Sequence, residues 1–275
     1  MDNIINLLFD PLQYGFMLRA LAVSILIGIM CPVIGSYVVT RGLAFMGDAI
    51  AHAVLPGLVI GFLIGVSPVV SAIPVGILIA FLIGYLSRKT GLSEDTSIGI
   101  LFAGLFAFGL ILLSLTKSVR IDLSDILLGQ VLGVSQNDII ITALLAIIVL
   151  ITLIAFHKEL VFAGFDPQGA SVIGLPTNLL DYLLLGLTAV VIVISIQAVG
   201  VILVMAMLVT PAATAYLLAR NFKMMMLIGS IIGIITASLG LYASFYWNVP
   251  SGPAMTLATV ALFAITVFFK RVIRN

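Results

Sequence analysis

Charge is what this chain has least of. Its 275 residues carry 12 Lys or Arg and 11 Asp or Glu, 8% in all, against 63% hydrophobic residues and a mean hydropathy of +1.35. A net charge of +1 with no basic run gives no footing for nucleic acid, so no nucleic-acid partner is expected. Cysteine is nearly absent. The single Cys31 excludes an internal disulfide and any cysteine-cluster metal site. There are two histidines, His52 and His157, and no H-E-x-x-H, so an intramembrane metalloenzyme would lack a third ligand and a general base. No G-x-x-x-x-G-K-[ST] occurs, so the chain cannot cradle ATP phosphates by that motif. The N-terminus has no basic n-region. A cleavable signal is therefore not expected, and the first apolar span would direct insertion.

What the chain has is hydrocarbon. Apolar stretches near the length that crosses a bilayer recur from end to end, with no room between them for a soluble domain. The expected fold is all-α: one polytopic transmembrane helical bundle over residues 1–275, embedded in the lipid bilayer. Spans are expected at about 16–39, 46–66, 69–87, 96–116, 139–156, 180–196, 199–219, 224–246 and 254–271. Gln197 to Gly200 and Thr210-Pro211 interrupt the sixth and seventh runs, so one of these reads as a broken or re-entrant helix and the count is eight or nine. Residues 4–12 read as an interfacial segment, and the apolar piece 126–134 as a short surface helix.

Basic residues orient the bundle. With the loop at Arg41 cytoplasmic, alternation also places Arg88, Lys89, Lys158, Arg220, Lys223, Lys270, Arg271 and Arg274 inside. That is nine of the 12 basic residues, leaving Arg19, Lys117 and Arg120 outside. The C-terminus is then cytoplasmic.

Within this hydrocarbon one stretch is chemically out of place. Residues 46–57 read M-G-D-A-I-A-H-A-V-L-P-G, and Asp48 and His52, four apart, share one face of a helix. A carboxylate and an imidazole at membrane depth cost several kcal/mol unless they pair, face a cavity or bind an ion. The pair admits two readings: a hydrogen bond that plugs a helix–helix contact, or an oxygen-plus-nitrogen ligand set for a divalent first-row metal. If a continuous helix runs from Arg41, Asp48 and His52 lie about 10 and 17 Å along its axis, near the bilayer centre.

A second stretch, H-K-E-L-V-F-A-G-F-D-P-Q-G-A-S-V-I-G-L-P-T at 157–177, falls on the expected cytoplasmic side. Asp166-Pro167 reads as an N-cap with proline in the first turn, residues 168–173 as a short helix, and Gly174 as its end. It is either an ordinary connector or a helix on which a cytoplasmic partner docks.

Together, G-D-A-I-A-H-A-V-L-P-G and G-F-D-P-Q-G-A-S-V-I-G-L-P-T resemble the membrane permease family of bacterial ABC importers for manganese, zinc and iron. Residues 31–39, C-P-V-I-G-S-Y-V-V, and 199–213, V-G-V-I-L-V-M-A-M-L-V-T-P-A-A, are similar to the same family, in the same order along the chain. The resemblance implies a type II importer-like bundle in the bacterial plasma membrane. It implies a permease that is no enzyme itself, paired with a second copy as a homodimer or with a close relative. Separate cytoplasmic ABC ATPase subunits would bind and hydrolyse ATP, and an extracytoplasmic metal-binding protein would deliver the ion. It also implies that Asp48 and His52 contact the transported metal. Phe165, Asp166, Gln168, Gly169, Ala170 and Gly174, in a coupling region of about 157–178, would dock the ATPase. Two strong ligands are too few for a closed structural site, so binding would be transient, with no permanently bound cofactor. Manganese is favoured because no His-rich loop points to zinc; zinc and iron stay open. The competing reading is a secondary metal transporter or channel that needs no ATPase, which would leave the docking-like helix unexplained.

Overall fold

The computed structural model describes residues 9–115 and 131–274. The expected interfacial segment lies mostly outside the described residues, as do residues 126–130 of the expected surface helix, whose end, Val131–Gly133, is a short 3₁₀ turn. Among the described residues there are twelve α-helices, two short 3₁₀ turns and no strand. The helices are α1 (Gly15–Thr40), α2 (Met46–Ala53), α3 (Leu55–Ile64), α4 (Pro68–Thr90), α5 (Glu94–Leu115), α6 (Gln136–Ala155), α7 (His157–Phe165), α8 (Pro167–Val172), α9 (Thr177–Val199), α10 (Val201–Leu218), α11 (Phe222–Trp247) and α12 (Ser251–Arg274).

Nine stretches of the described residues are long and apolar enough to cross a membrane, with α2 and α3 together making one of them. Among the described residues the candidate count is therefore nine. Neither the sixth nor the seventh run is itself broken. Both are continuous helices parted by Gly200, whose φ of +82° turns the chain at little steric cost, and Pro211 stays inside α10. The second span is interrupted at Val54, beside the Pro56-Gly57 step that predicts a kink, with Pro56 in the first turn of α3. Most spans run a few residues past the apolar runs because polar residues cap them. Ser93 Oγ accepts the Thr96 amide at 3.1 Å and starts α5, and Asn221 Oδ1 accepts the Met224 amide at 2.8 Å and starts α11.

The chain divides into two compact units. The first takes α1 up to Ser36, the first part of α6, and α10 to α12. Without a hydrophobic drive between helices in lipid, close backbone approach does the packing, and small residues permit it. A Cβ on Gly28 of α1 would stand 2.9 Å from the Gly233 carbonyl carbon of α11, and one on Gly229 would stand 3.2 Å from Pro32. Gly35 lies in the same way against the Leu208 backbone of α10, and Gly240 against Met255 of α12. Pro32 removes an amide from the α1 ladder, while Ser36 Oγ donates to the Pro32 carbonyl at 2.8 Å.

The second unit takes the end of α1 from Tyr37, then α2 to α5, the end of α6, and α7 to α9 up to Gln197. Here α3 lies between α4 and α5. A Cβ on Gly57 would meet Val75 at 2.9 Å, and one on Gly109 would meet Leu55 at 3.0 Å. Large exposed side chains such as Ile111 and Leu115 on α5 and Ile154 on α6 would be a liability in water and are at home in lipid.

Gly28→Leu should lower the thermal unfolding midpoint in detergent, the overpacking costing about 1–3 kcal/mol. Gly104→Leu, where nothing lies within 4 Å of an added Cβ, should melt as the wild type does. Equal melting of the two variants would sink the glycine-contact account.

Candidate functional site

Both candidate stretches fall in the second unit. Asp48 sits in the first turn of α2 and His52 in its last. There the helix dipole favours an anion and a cation respectively. Asp48 Oδ1 and His52 Nε2 stand 3.2 Å apart, with each side chain about a quarter accessible (24% and 25%). The i, i+4 spacing brings them together as the sequence predicts. Two donors each about 2.1 Å from a common ion, at roughly a right angle, stand about 3 Å apart, so the pair can chelate without moving. Among the described residues no group of three or more His, Cys, Asp or Glu forms a cluster. Two side-chain ligands of these types are therefore the set on offer.

The depth differs from expectation. Residues 41–45 form a turn outside the helix ladder, so they add no helical rise. Measured from Met46, Asp48 lies about 3 Å and His52 about 9 Å along a span of about 28 Å. Both therefore lie in the half of the span nearer Arg41.

Pro56 matters for the backbone here. It is the residue four after His52 and has no N–H, so the His52 carbonyl cannot take its ordinary helical partner; the Val54 amide is shared between the His52 and Ile50 carbonyls instead. The interruption thus falls beside an ion-pairing side chain, a place where broken membrane helices can present backbone oxygen. The residues sequence reasoning missed are aromatic. Phe102 and Phe106 of α5 lie 5.9 and 5.3 Å from the His52 ring, centroid to centroid, and stack on each other at 5.8 Å, while Phe45 meets Phe102 edge-on. They form a water-poor wall on one side of the imidazole. Their i, i+4 spacing on α5 was visible in the sequence but indistinguishable there from an ordinary lipid-facing stripe.

At 157–178 the structure places two helices where one was expected. α7 (His157–Phe165) precedes α8 (Pro167–Val172), and its His157 Nδ1 lies 2.7 Å from the buried Tyr37 hydroxyl. Asp166 caps α8 as read from the sequence: its Oδ1 accepts the Gly169 amide at 2.8 Å. A Cβ at 169 would meet the other oxygen of that carboxylate, which would have to turn to make room. Gly174, at φ +82°, ends the segment. Phe165 is 66% exposed and Gln168 is exposed, whereas Ala170 is fully buried, so Ala170 can act only by seating α8 on the body of the unit. Val172 at 87% and Ile173 at 66% extend the exposed apolar face beyond the residues the sequence singled out.

The other missed residue is Asp181. In the sequence Asp181 reads as a carboxylate near a helix start, where the dipole suits it without a partner, but it falls beyond the first turn of α9 and bridges two arginines. Arg41 Nη1 and Arg88 Nη2 each donate to one of its oxygens at 2.7 Å.

A helical protein with nine candidate spans among its described residues, a quarter-accessible carboxylate–imidazole pair in an interrupted span and an exposed apolar helix on a loop is, in class, a multi-pass membrane transport subunit rather than an enzyme. The chain matches the family model described as "ABC 3 transport family" over residues 13–270, and it belongs to that family of ABC transporter permeases. It is 41% identical over 270 residues to the "Manganese transport system membrane protein MntC" of Halalkalibacterium halodurans, covering 98% of this chain and 92% of that one. It is 38% identical over 276 residues to the "Chelated iron transport system membrane protein YfeD" of Yersinia pestis, covering 99% and 91%. Among solved structures, "PsaBC from Streptococcus pneumoniae in complex with Fab" matches with a TM-score of 0.84 at 37% identity, over 96% of this chain and 95% of that one.

Asp166→Ala should destabilise α8 by about 1 kcal/mol, the usual cost of a lost N-cap. Amide hydrogen exchange in 167–174 should speed up while α9 is unaffected; unchanged exchange in α8 would show the cap to be dispensable.

Proposed function

We propose that the whole chain, 1–275, is one permease domain of an ABC importer that carries a divalent transition metal into the cytoplasm. Manganese is favoured, with zinc and iron as the other cargoes the ligand set accepts. The observation that carries this is the Asp48–His52 pair: a carboxylate oxygen and an imidazole nitrogen 3.2 Å apart, partly accessible, in an interrupted membrane helix. Hard oxygen and borderline nitrogen suit Mn, Fe or Zn. Relatives named for manganese and for chelated iron support the metal class and leave its identity to experiment.

Two ligands hold an ion firmly enough to admit it and loosely enough to release it. Water or backbone oxygen completes the shell, and the Phe102/Phe106 wall limits hydration on one side. A proton on His52 occupies the nitrogen the metal needs, so acid weakens binding. An extracytoplasmic metal-binding protein supplies the ion. Separate ABC ATPase subunits dock on the coupling region 157–178 through Phe165, Gln168 and the neighbouring Val172 and Ile173, held in shape by Asp166, Gly169, Ala170 and Gly174. Two permease chains form the pathway as a homodimer. The nine candidate spans among the described residues, with nine of the 12 basic residues falling on one side, support a C-terminus on the cytoplasmic face of the bacterial plasma membrane. An ATPase-independent carrier would have no use for an exposed apolar helix outside the spans, so the coupled reading is preferred.

Asp48→Ala and His52→Ala should each cut ATP-dependent uptake of radioactive manganese into proteoliposomes by about tenfold or more, with ATPase subunits still bound. Zinc and iron(II) tested beside it name the cargo. Wild-type uptake in both variants would reduce the pair to a helix contact, and uptake without any ATPase would favour the carrier.

A further inference from the structure

At the end of the second unit that bears α7, five elements converge on one carboxylate. Asp181 of α9 takes Arg41, just past the end of α1, on Oδ1 and Arg88, near the end of α4, on Oδ2, each at 2.7 Å. Glu94, which opens α5, lies within electrostatic reach of all three. Arg41 reaches further: its Nη2 donates to the Leu160 carbonyl of α7 at 3.5 Å, and a Cβ on Gly164 of α7 would stand 3.2 Å from its Nε.

The two arginines are held differently. Arg88 lies 4.8 Å over the Tyr182 ring, Tyr182 stacks on Phe81 at 5.0 Å, and a Cβ on Gly84 would meet Tyr182 at 2.6 Å, so α4 and α9 are locked by packing as well as by charge. Arg41 has no such lock among its described contacts. It sits between Asp181 and α7, and the turn 41–45, with Gly42 at φ +74°, leads straight from it into α2 and Asp48. A displacement of α7 therefore meets a guanidinium seven residues from the first metal-ligand candidate, with Asp181 as its anchor on a rigid helix pair.

We propose that Asp181 is a positioning residue for transport: by fixing Arg41 between α9 and α7, it makes movement of the α7–α8 segment move the Asp48–His52 helix. This rests on the reading that α7 and α8 receive the ATPase. A charge pair that only anchors the fold would be equally buried, so the test must separate coupling from stability.

The complex of permease and ATPase subunits, reconstituted in proteoliposomes, is assayed for ATP hydrolysis and for manganese(II) uptake on the same vesicles. Asp181→Asn should keep hydrolysis within about twofold while manganese moved per ATP falls about tenfold, a typical inter-site coupling. Asp181→Glu should restore most of the ratio. Gly164→Leu, which wedges α7 away from Arg41 without removing a charge, should lower the ratio too, and it decides the matter if Asp181→Asn does not fold. An unchanged ratio in the variants that fold would overturn the proposal. So would a parallel loss of hydrolysis and uptake that Asp181→Glu fails to rescue. A wild-type complex in which no ATPase binds would instead remove the docking reading, and this proposal with it.

Discussion

Hydrocarbon offers no hydrogen bonds, and the arrangement of this chain follows from that. With 8% charged residues, the polar groups that do enter the spans must find partners inside the protein. Hydroxyls do so cheaply by bonding back along the helix, as Ser24, Thr188 and Thr236 do to the carbonyl four residues earlier. Charges need more. Arg19 reaches the Val134 carbonyl at 3.1 Å, while the ion pairs found among the described residues gather in two places, the Asp48–His52 pair and the Arg41–Asp181–Arg88 bridge, both in the second unit. The first unit contains the opposite solution: glycines on α1 and α11 that let backbones touch.

The division of labour between the two polar clusters is physical. A histidine and an aspartate side by side neutralise one another only while the ring is protonated, so a neutral ring leaves a carboxylate seeking a cation. An aspartate between two arginines is satisfied on both oxygens and seeks nothing. One cluster is built to exchange its partner and the other to keep it.

Much of this was legible in the sequence. The apolar runs located the spans to within a few residues, and the Asp48–His52 spacing and the Asp166-Pro167 cap followed from helix geometry alone. What escaped was whatever depended on two segments meeting. Gly104, Gly186 and Gly233 look alike as letters, yet only Gly233 has a neighbour that a side chain would strike. Asp181 read as a lone helix-start carboxylate because its partners are 140 and 93 residues away. Pro56-Gly57 predicts a kink in the second span, and the helix is interrupted beside it at Val54, whereas the glycine and proline of residues 197–211 suggest a further broken helix, yet Pro211 stays inside α10.

The capping contact in α8 binds positions 166 and 169 into one unit of variation. With aspartate at 166 as it stands, a Cβ at 169 meets the carboxylate oxygen that does not hold the amide, so a side chain there must turn the carboxylate about the hydrogen bond it keeps. A shorter capping residue at 166 leaves that room open from the start. The cost of a side chain at 169 therefore depends on which capping residue stands at 166, an epistatic coupling that acts through one side chain.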